Sequence, residues 1–510
     1  MLLAVVVATA LLSSQDVRVQ VAGRTGFRRV VGPGSAAVDN GYRPDARLGT
    51  QAPAVAVGGA GPQLQPAYVP DEVIVKFSGG GVVSAAQRRA ATTLGVRAVE
   101  YPPFADFALL KLDADVDPAA VAAELGRRPD VDYAQPSYLR RSLFVPDDPF
   151  FPLQWNLSTI NMERAWDINP GATQEIVVAV IDSGVAFEDI ALEYAAGPFT
   201  LSGVPYPSLG LITVPFSVAP ELDASSRFVA PFDFIWGDPH PVDMSGHGTH
   251  VTGTVGQLTN NAQGVAGVAF NVRIMPLKVL GDVWDLIFGA TSVCCGATDA
   301  DVAVAIGYAV EFGAQVINMS LGGPGASPVI DEAVRMAVSE GVFVAIAGGN
   351  TFEEGNPAVF PAASAVAIDG AMSVGAIDRQ RRRAYYSSTG SWVEIVAPGG
   401  EQREEGATGG VLQQTLDEDF ALTYERPPAL YGPPRFDVMN FTFAAGTSIA
   451  APHVAGLAAL LMSQGITNPA AIEAALKHFA TDLGEPGRDD EFGHGLVNAP
   501  ATLRGLGIAR

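Results

Sequence analysis

The chain has 510 residues, 48 % of them hydrophobic, and sets 54 Asp+Glu against 31 Lys+Arg for a net charge of −23. That length buries a large core, with room for one big domain and a smaller one. The charge argues against nucleic acid and against an anionic membrane surface as partners. The acidic excess lies after residue 141, where 41 carboxylates face 16 basic side chains, and it reads first as a soluble, self-repelling surface.

In chain order, "MLLAVVVATALLSSQ" opens with an apolar run over residues 1–12. The run is too short to cross a bilayer as a helix and long enough for the core of a signal peptide, although no Lys or Arg precedes it. Secretion without stable membrane insertion is the expectation. Residues 13–67 are rich in Gly, Pro and Ala and lack periodicity, which predicts a flexible linker. From Tyr68 the pattern tightens: "DEVIVKF" and "FALLKL" read as strands, and "SAAQRRAATTLG" and "DPAAVAAELGRR" have helical spacing. Residues 68–141 therefore predict a small α+β domain, of a size at which a core alone is marginal.

Residues 145–505 alternate apolar runs with amphipathic segments. "EIVVAVID", "VRIMPLKVL", "QVINMSL", "VFVAIAGGN" and "WVEIVAPG" are continuous and β-branched, as strands buried on both faces of a parallel sheet are. "DADVAVAIGYAVEFGA" and "PVIDEAVRMAVSEG" supply helices between them. The fold class is α/β, a doubly wound, mostly parallel sheet, in which functional groups gather at the carboxyl ends of the strands. That rule selects Asp182, Ser320 and Asn350.

A serine nucleophile needs a base, a carboxylate to orient the base, and donors for the oxyanion. Among six histidines, His247 stands in "SGHGTHVTGTVGQL", flanked by glycines, with His250 three residues on. A zinc pair would want a third ligand and commonly a glutamate between the histidines, and "HGTH" has none. His250, and His453 in "APHVAG", read as packed core residues. Asp182, His247 and Ser448 occur in the order Asp, His, Ser, one of the chain orders known for the triad. The paired Cys294 and Cys295 admit a vicinal bridge or two thiols, since neighbouring Cα atoms lie closer than an ordinary disulfide prefers.

"VIDSGV", "HGTHVTGT", "INMSLGG", "AIAGGN" and "GTSIAAPHVAG", five strings in order, resemble the subtilisin-like serine proteases over residues 145–505. The resemblance implies a secreted, monomeric endopeptidase on protein or peptide substrates, with Ser448 as nucleophile, His247 as base and Asp182 as its orienting acid. It also implies Asn350 as oxyanion donor, and Ser320, Leu321, Gly322, Gly323, Ala347 and Gly348 as the lining of the substrate pocket. No cofactor is expected for catalysis; structural calcium near "LTNNAQGVAGVA" would draw on Asn260 and Asn261. Residues 68–141 resemble the family's inhibitory propeptide, expected to bind in the cleft and to be cut off between Tyr138 and Val145.

Ser448 should open a helix, with Pro452 in its first turn. Where the family has methionine after the nucleophile, this chain has Ile449, so no thioether can be oxidised there. Residues 192–243, 281–299 and 400–440 exceed what the core plan needs, and Asp282, Trp284 and Asp285 in the second are expected to shape specificity. The competing readings are an inactive binding protein on the same fold, a lipase-type hydrolase, and a serine-carboxyl peptidase. The second would want G-x-S-x-G, absent around Ser448, and the third an acidic base.

Overall fold

The computed structural model describes residues 19–21, 28–31, 68–78, 84–138, 144–223, 226–290 and 295–505. They fall into two compact units: the small domain, and a large unit built from residues 144–505 together with the described N-terminal residues. The apolar run at 1–12 and the cut region at 139–143 lie outside the described residues.

Within the large unit's N-terminal part, β1 (Val19–Val21) and β2 (Arg28–Val30) are strands. Both fall inside the span that composition alone marks as a linker; the remainder of that span is not described. Backbone pairing with a distant partner, which local composition does not encode, accounts for the difference.

The small domain runs β3 (Tyr68–Phe77), helix Ala85–Thr92, β4 (Val96–Glu100), β5 (Ala108–Leu112), helix Pro118–Gly126, β6 (Val131–Tyr138). The strands form an antiparallel sheet in the order β4-β5-β3-β6, a split βαβ arrangement. Ser84 and Gln87 form a reciprocal capping box at the first helix, and Asp117 caps the second ahead of Pro118. Val73, Val75, Leu110, Leu112 and Leu125 make the core. The alternation in "VRAVE" was missed because β4 is an edge strand with only Val96 buried.

In the large unit, β7 (Val177–Asp182) is followed by four antiparallel strands, β8 (Ile190–Ala196), β9 (Phe199–Leu201), β10 (Val204–Tyr206) and β11 (Gly210–Phe216). Next come β12 (Phe232–Asp233), β13 (Arg273–Lys278), β14 (Val316–Met319), β15 (Phe343–Ala347), β16 (Ala371–Ile377) and β17 (Ile395–Pro398). A hairpin of β18 (Val411–Leu416) and β19 (Met439–Ala444) precedes the last helices. The main sheet is parallel and seven-stranded, ordered β12-β13-β7-β14-β15-β16-β17. Its doubly wound character matches the expectation; β16 and the two-residue β12 were not foreseen. "AMSVGAI" is fully buried, but four of its seven residues are Ala, Ser or Gly, which carry little strand signal.

The helix Thr447–Ser463 lies in one apolar layer with Val178, Val180, Phe343 and Val374, and all of its residues but the last are buried. The helices Asp299–Glu311 and Pro328–Ser339 pack in the other layer with Ile181, Ile317 and Ile346. Each large apolar side chain fully buried in these layers contributes about 1.5–3 kcal/mol. Gly456 permits one close approach, since a Cβ there would meet Val268 Cβ at 2.7 Å.

Pro452 is the sixth residue of its helix rather than part of the first turn. The described residues of the three long segments include regular elements. Residues 192–243 hold β9 to β12 and most of β8, and residues 400–440 hold β18. Residues 281–299 include the helix Val283–Ile287, capped by Asp282. Trp284 and Asp285 are fully buried, Trp284 donating to the Ala421 carbonyl and Asp285 pairing with Lys278 at 2.9 Å. With Asp282 buried as well, these three pack the interior and do not face a substrate, correcting the expectation. Cys295 is disulfide-bonded, and Cys294 lies outside the described residues.

Candidate active site

The parallel register places Asp182 at the carboxyl end of β7, Ser320 just past β14, and Asn350 three residues past β15. His247 is the first residue of the helix His247–Gly256, which packs against both β7 and the Ser448 helix. His247 Nδ1 lies 2.7 Å from Asp182 Oδ1, with the Asp182 side chain 1 % exposed and that of His247 23 %. The acid is thus shut from water while the imidazole keeps an open edge. Donation from Nδ1–H to Asp182 leaves Nε2 as the basic nitrogen. Burial works to lower the His247 pKa, but the Asp182 charge, its hydrogen bond and Asp243 outweigh it and raise the value above the ordinary 6.5.

Gly248 makes this contact possible. A Cβ there would lie 2.1 Å from the Gly184 carbonyl and 3.1 Å from Asp182 Oδ1. The turn before His247 is held by Asp243, a buried carboxylate that sequence reasoning missed. Its oxygens accept from Ser183 Oγ, the Ser245, Gly246 and Thr249 amides and Thr249 Oγ1, all within 3.0 Å. A signal was present in "DMSGH": an aspartate just ahead of a helix start can satisfy the orphan donors there.

Ser448 is the second residue of its helix, where the backbone N–H has no partner four residues back and the dipole favours negative charge. Pro452, four residues on, has no N–H to give the Ser448 carbonyl. Ser320 Oγ donates to that carbonyl at 2.6 Å and itself accepts from Asn318 Nδ2 at 3.0 Å. The proline therefore leaves an acceptor that the buried serine fills, fixing the Ser448 backbone to the end of β14.

Asn350 Oδ1 accepts from the Thr447 amide and from Thr447 Oγ1, both at 2.9 Å. With its carbonyl oxygen engaged, the amide NH2 of Asn350 is the side-chain group left to donate. Ser320, Ala347 and Gly348 are buried, Leu321 and Gly323 half-buried and Gly322 exposed. Gly323 exchanges both backbone hydrogen bonds with Phe360 at 2.8 Å. Gly322 has no backbone partner among the described residues, which suits it to an extended peptide.

His250 and His453 are buried structural residues. His250 Nε2 donates to the Val411 and Thr442 carbonyls, and burial lowers its pKa to about 4. His453 donates from Nδ1 to the Ile449 carbonyl and accepts from Asn156 Nδ2, with its pKa likewise near 4 through burial. The H-x-x-H pair is therefore not a metal pair.

Around Asn260 and Asn261 the backbone amides donate to Asp148, and Asn261 Oδ1 accepts from the Gln263 amide. Two carboxylates there were not foreseen. Burial raises the pKa of Asp148, with Asp147 adding to the effect, and burial together with Asp148 raises that of Glu221 to about 7. Glu221 Oε2 is buried without a partner. A buried carboxylate oxygen without a donor, next to a second acid, fits a hard cation with oxygen ligands.

The Subtilase family model matches residues 173–495, and a model of the fervidolysin N-terminal prodomain matches residues 56–137. A thermophilic serine proteinase of Bacillus sp. strain AK1 is 32 % identical over 440 residues, which is 85 % of this chain and 87 % of that protein. An extracellular protease of Xanthomonas campestris pv. campestris is 31 % identical over 422 residues, 78 % of this chain and 63 % of the other. A solved protease structure from Pseudoalteromonas arctica aligns with a TM-score of 0.52 at 28 % identity, covering 71 % of this chain and 99 % of that one. The chain belongs to the subtilase family of serine endopeptidases and carries an N-terminal prodomain.

Proposed function

We propose that the protein is a secreted endopeptidase that works through Asp182, His247 and Ser448 and is made as a self-processing zymogen. The observation that carries this reading is the 2.7 Å Asp182–His247 pair, borne on a strand end and on a helix that packs against the helix bearing Ser448. Ser448 Oγ attacks the scissile carbonyl carbon while His247 Nε2 takes its proton. The oxyanion is met by the Ser448 amide and by Asn350 Nδ2. Collapse breaks the C–N bond, the His247 proton passes to the leaving amine, and water then hydrolyses the acyl-enzyme by the reverse transfers.

Substrates are proteins or peptides bound along Ser320–Gly323 and Ala347–Gly348, and the chain acts as a monomer. No cofactor takes part in the chemistry. Asp148 and Glu221, with Asn260 and Asn261, would hold a calcium ion, which would neutralise the buried charge there. Extracellular location is supported by the Xanthomonas relative's description. No helix among the described residues is long and apolar enough to cross a membrane. Residues 68–141 act as the inhibitory prodomain of the catalytic domain at 145–505, released by a cut between Tyr138 and Val145.

Two measurements test this. Labelling with a sulfonyl fluoride should place the adduct on Ser448 and abolish activity; a full-strength protease unlabelled at Ser448 would refute the triad. Ser448→Ala expressed without other proteases should accumulate uncut, and normal processing of that variant would refute self-cleavage.

A further inference from the structure

The strands β1 and β2 precede the prodomain in sequence but belong to the catalytic unit. β1 pairs antiparallel with β9, and β2 with β8, so each N-terminal strand completes a sheet of the long segment between β7 and the His247 helix. Arg28 faces Tyr194, Arg29 faces Glu193 and Val30 faces Leu192, with the Val31 amide donating to the Ala191 carbonyl at 2.9 Å.

Arg28 is the anchor. Its side chain is 4 % exposed, and Nη1 donates to Asp233 Oδ2 at 2.9 Å, with Asp233 fully buried. Nη2 donates to the His240 carbonyl, Nε lies 3.5 Å from Asp238 Oδ2, and the guanidinium sits 5.4 Å from the centre of the Trp236 ring. Outside this pocket Arg29 pairs with Glu193 at 2.9 Å. A buried carboxylate deprived of its counter-charge is strongly unfavourable, so a site holding Asp233 in this state is built for a guanidinium.

We infer that the N-terminal segment bearing Arg28 is an integral strand of the mature protease, retained as a separate bound peptide after the prodomain leaves. The inference rests on the proposed cut between Tyr138 and Val145. That cut alone leaves the prodomain joined through residues 32–67 to a strand held in the catalytic unit. An inhibitor so tethered rebinds at a high effective concentration. Activity therefore appears only with a second cut within 32–67, and the Arg28 peptide stays behind.

Full-length wild-type and Arg28→Ala chains are left to mature, passed over a sizing column under native conditions, and the active peak is denatured and weighed by intact mass. Wild type should yield a catalytic chain beginning between residues 139 and 145 and an equimolar peptide containing Arg28. Arg28→Ala should retain less than about a tenth of that peptide. Where Arg28→Ala fails to accumulate, Arg28→Lys, which keeps the charge and loses the fork, should retain it partially. A fully active wild-type peak holding the catalytic chain alone overturns the inference, as does full activity with the prodomain still joined to the Arg28 segment.

Failure of the underlying reading looks different, because the wild-type chain would then remain uncut between Tyr138 and Val145. In that case amide exchange in the uncut chain decides: slow exchange at residues 28–31 supports the integral strand, and exchange at the rate of an unstructured peptide overturns it.

Discussion

The hydrogen bond from His247 to Asp182 fixes a tautomer and also sets a pH threshold. Burial of the imidazole is outweighed by Asp182 and Asp243, so the proton-bound form is favoured above the ordinary 6.5. A base must be unprotonated to act, so kcat/KM should fall as pH drops through a value above 6.5, read from the acidic limb of its pH profile. The same raised pKa makes His247's contribution to stability greatest below 6.5, lost as pH climbs through the folded-state value. At Asn350, removal of the side-chain donor proposed for the oxyanion by Asn350→Ala should lower kcat about 100- to 1,000-fold and leave KM nearly unchanged in steady-state assays. Ile449 makes peroxide a clean probe: wild type should keep most of its activity, and Ile449→Met should lose it within the same exposure. The strings "VIDSGV", "HGTH", "AGGN" and "GTSIA" single these residues out for their proposed roles. Asp243 and Thr447, which hold them in place, were not legible, because a helper's role is written in tertiary hydrogen bonds rather than in spacing.

At the level of elements, Pro452 and Ser320 act together. A proline inside a helix ordinarily costs a hydrogen bond, and here the orphaned carbonyl belongs to Ser448, the proposed nucleophile. Ser320→Ala should leave that carbonyl buried and unpaired, lowering stability by about 1–3 kcal/mol in denaturant titrations, with kcat falling more than KM rises. Continuous β-branched runs made β7, β13, β14, β15 and β17 readable from sequence. β16 escaped because Ala, Ser and Gly supply no strand pattern, although burial of every residue in it is as complete as in its neighbours. Asp282, Trp284 and Asp285 looked like exposed loop chemistry, since a short helix folded inward by Lys278 and Trp236 leaves no periodic trace.

Across the whole molecule, the acidic excess noted in the composition is costly where carboxylates are buried, and the loop at 260–262 is such a place. Asp148 ties the start of the catalytic domain to the loop at 260–262, and Glu221 stands beside it with a pKa near 7. A carboxylate with a raised pKa stabilises the fold below its unfolded value of 4.5, and that contribution is lost as pH rises through about 7 unless a cation takes the charge. Chelator should therefore lower the melting temperature markedly at pH 8 and little at pH 5, and added calcium should restore it. The loop motif hinted at oxygen ligands; the two acids came from positions 73 residues apart, a distance that only the fold closes.

The helix that carries Ser448 has no water-loving side. While the sheet is still assembling, such a segment has no comfortable resting place in solvent and resembles a greasy plug awaiting its socket. Chains caught before it docks would stick to one another, so refolding yield should be governed by how quickly this one piece is captured, and dilution should rescue it.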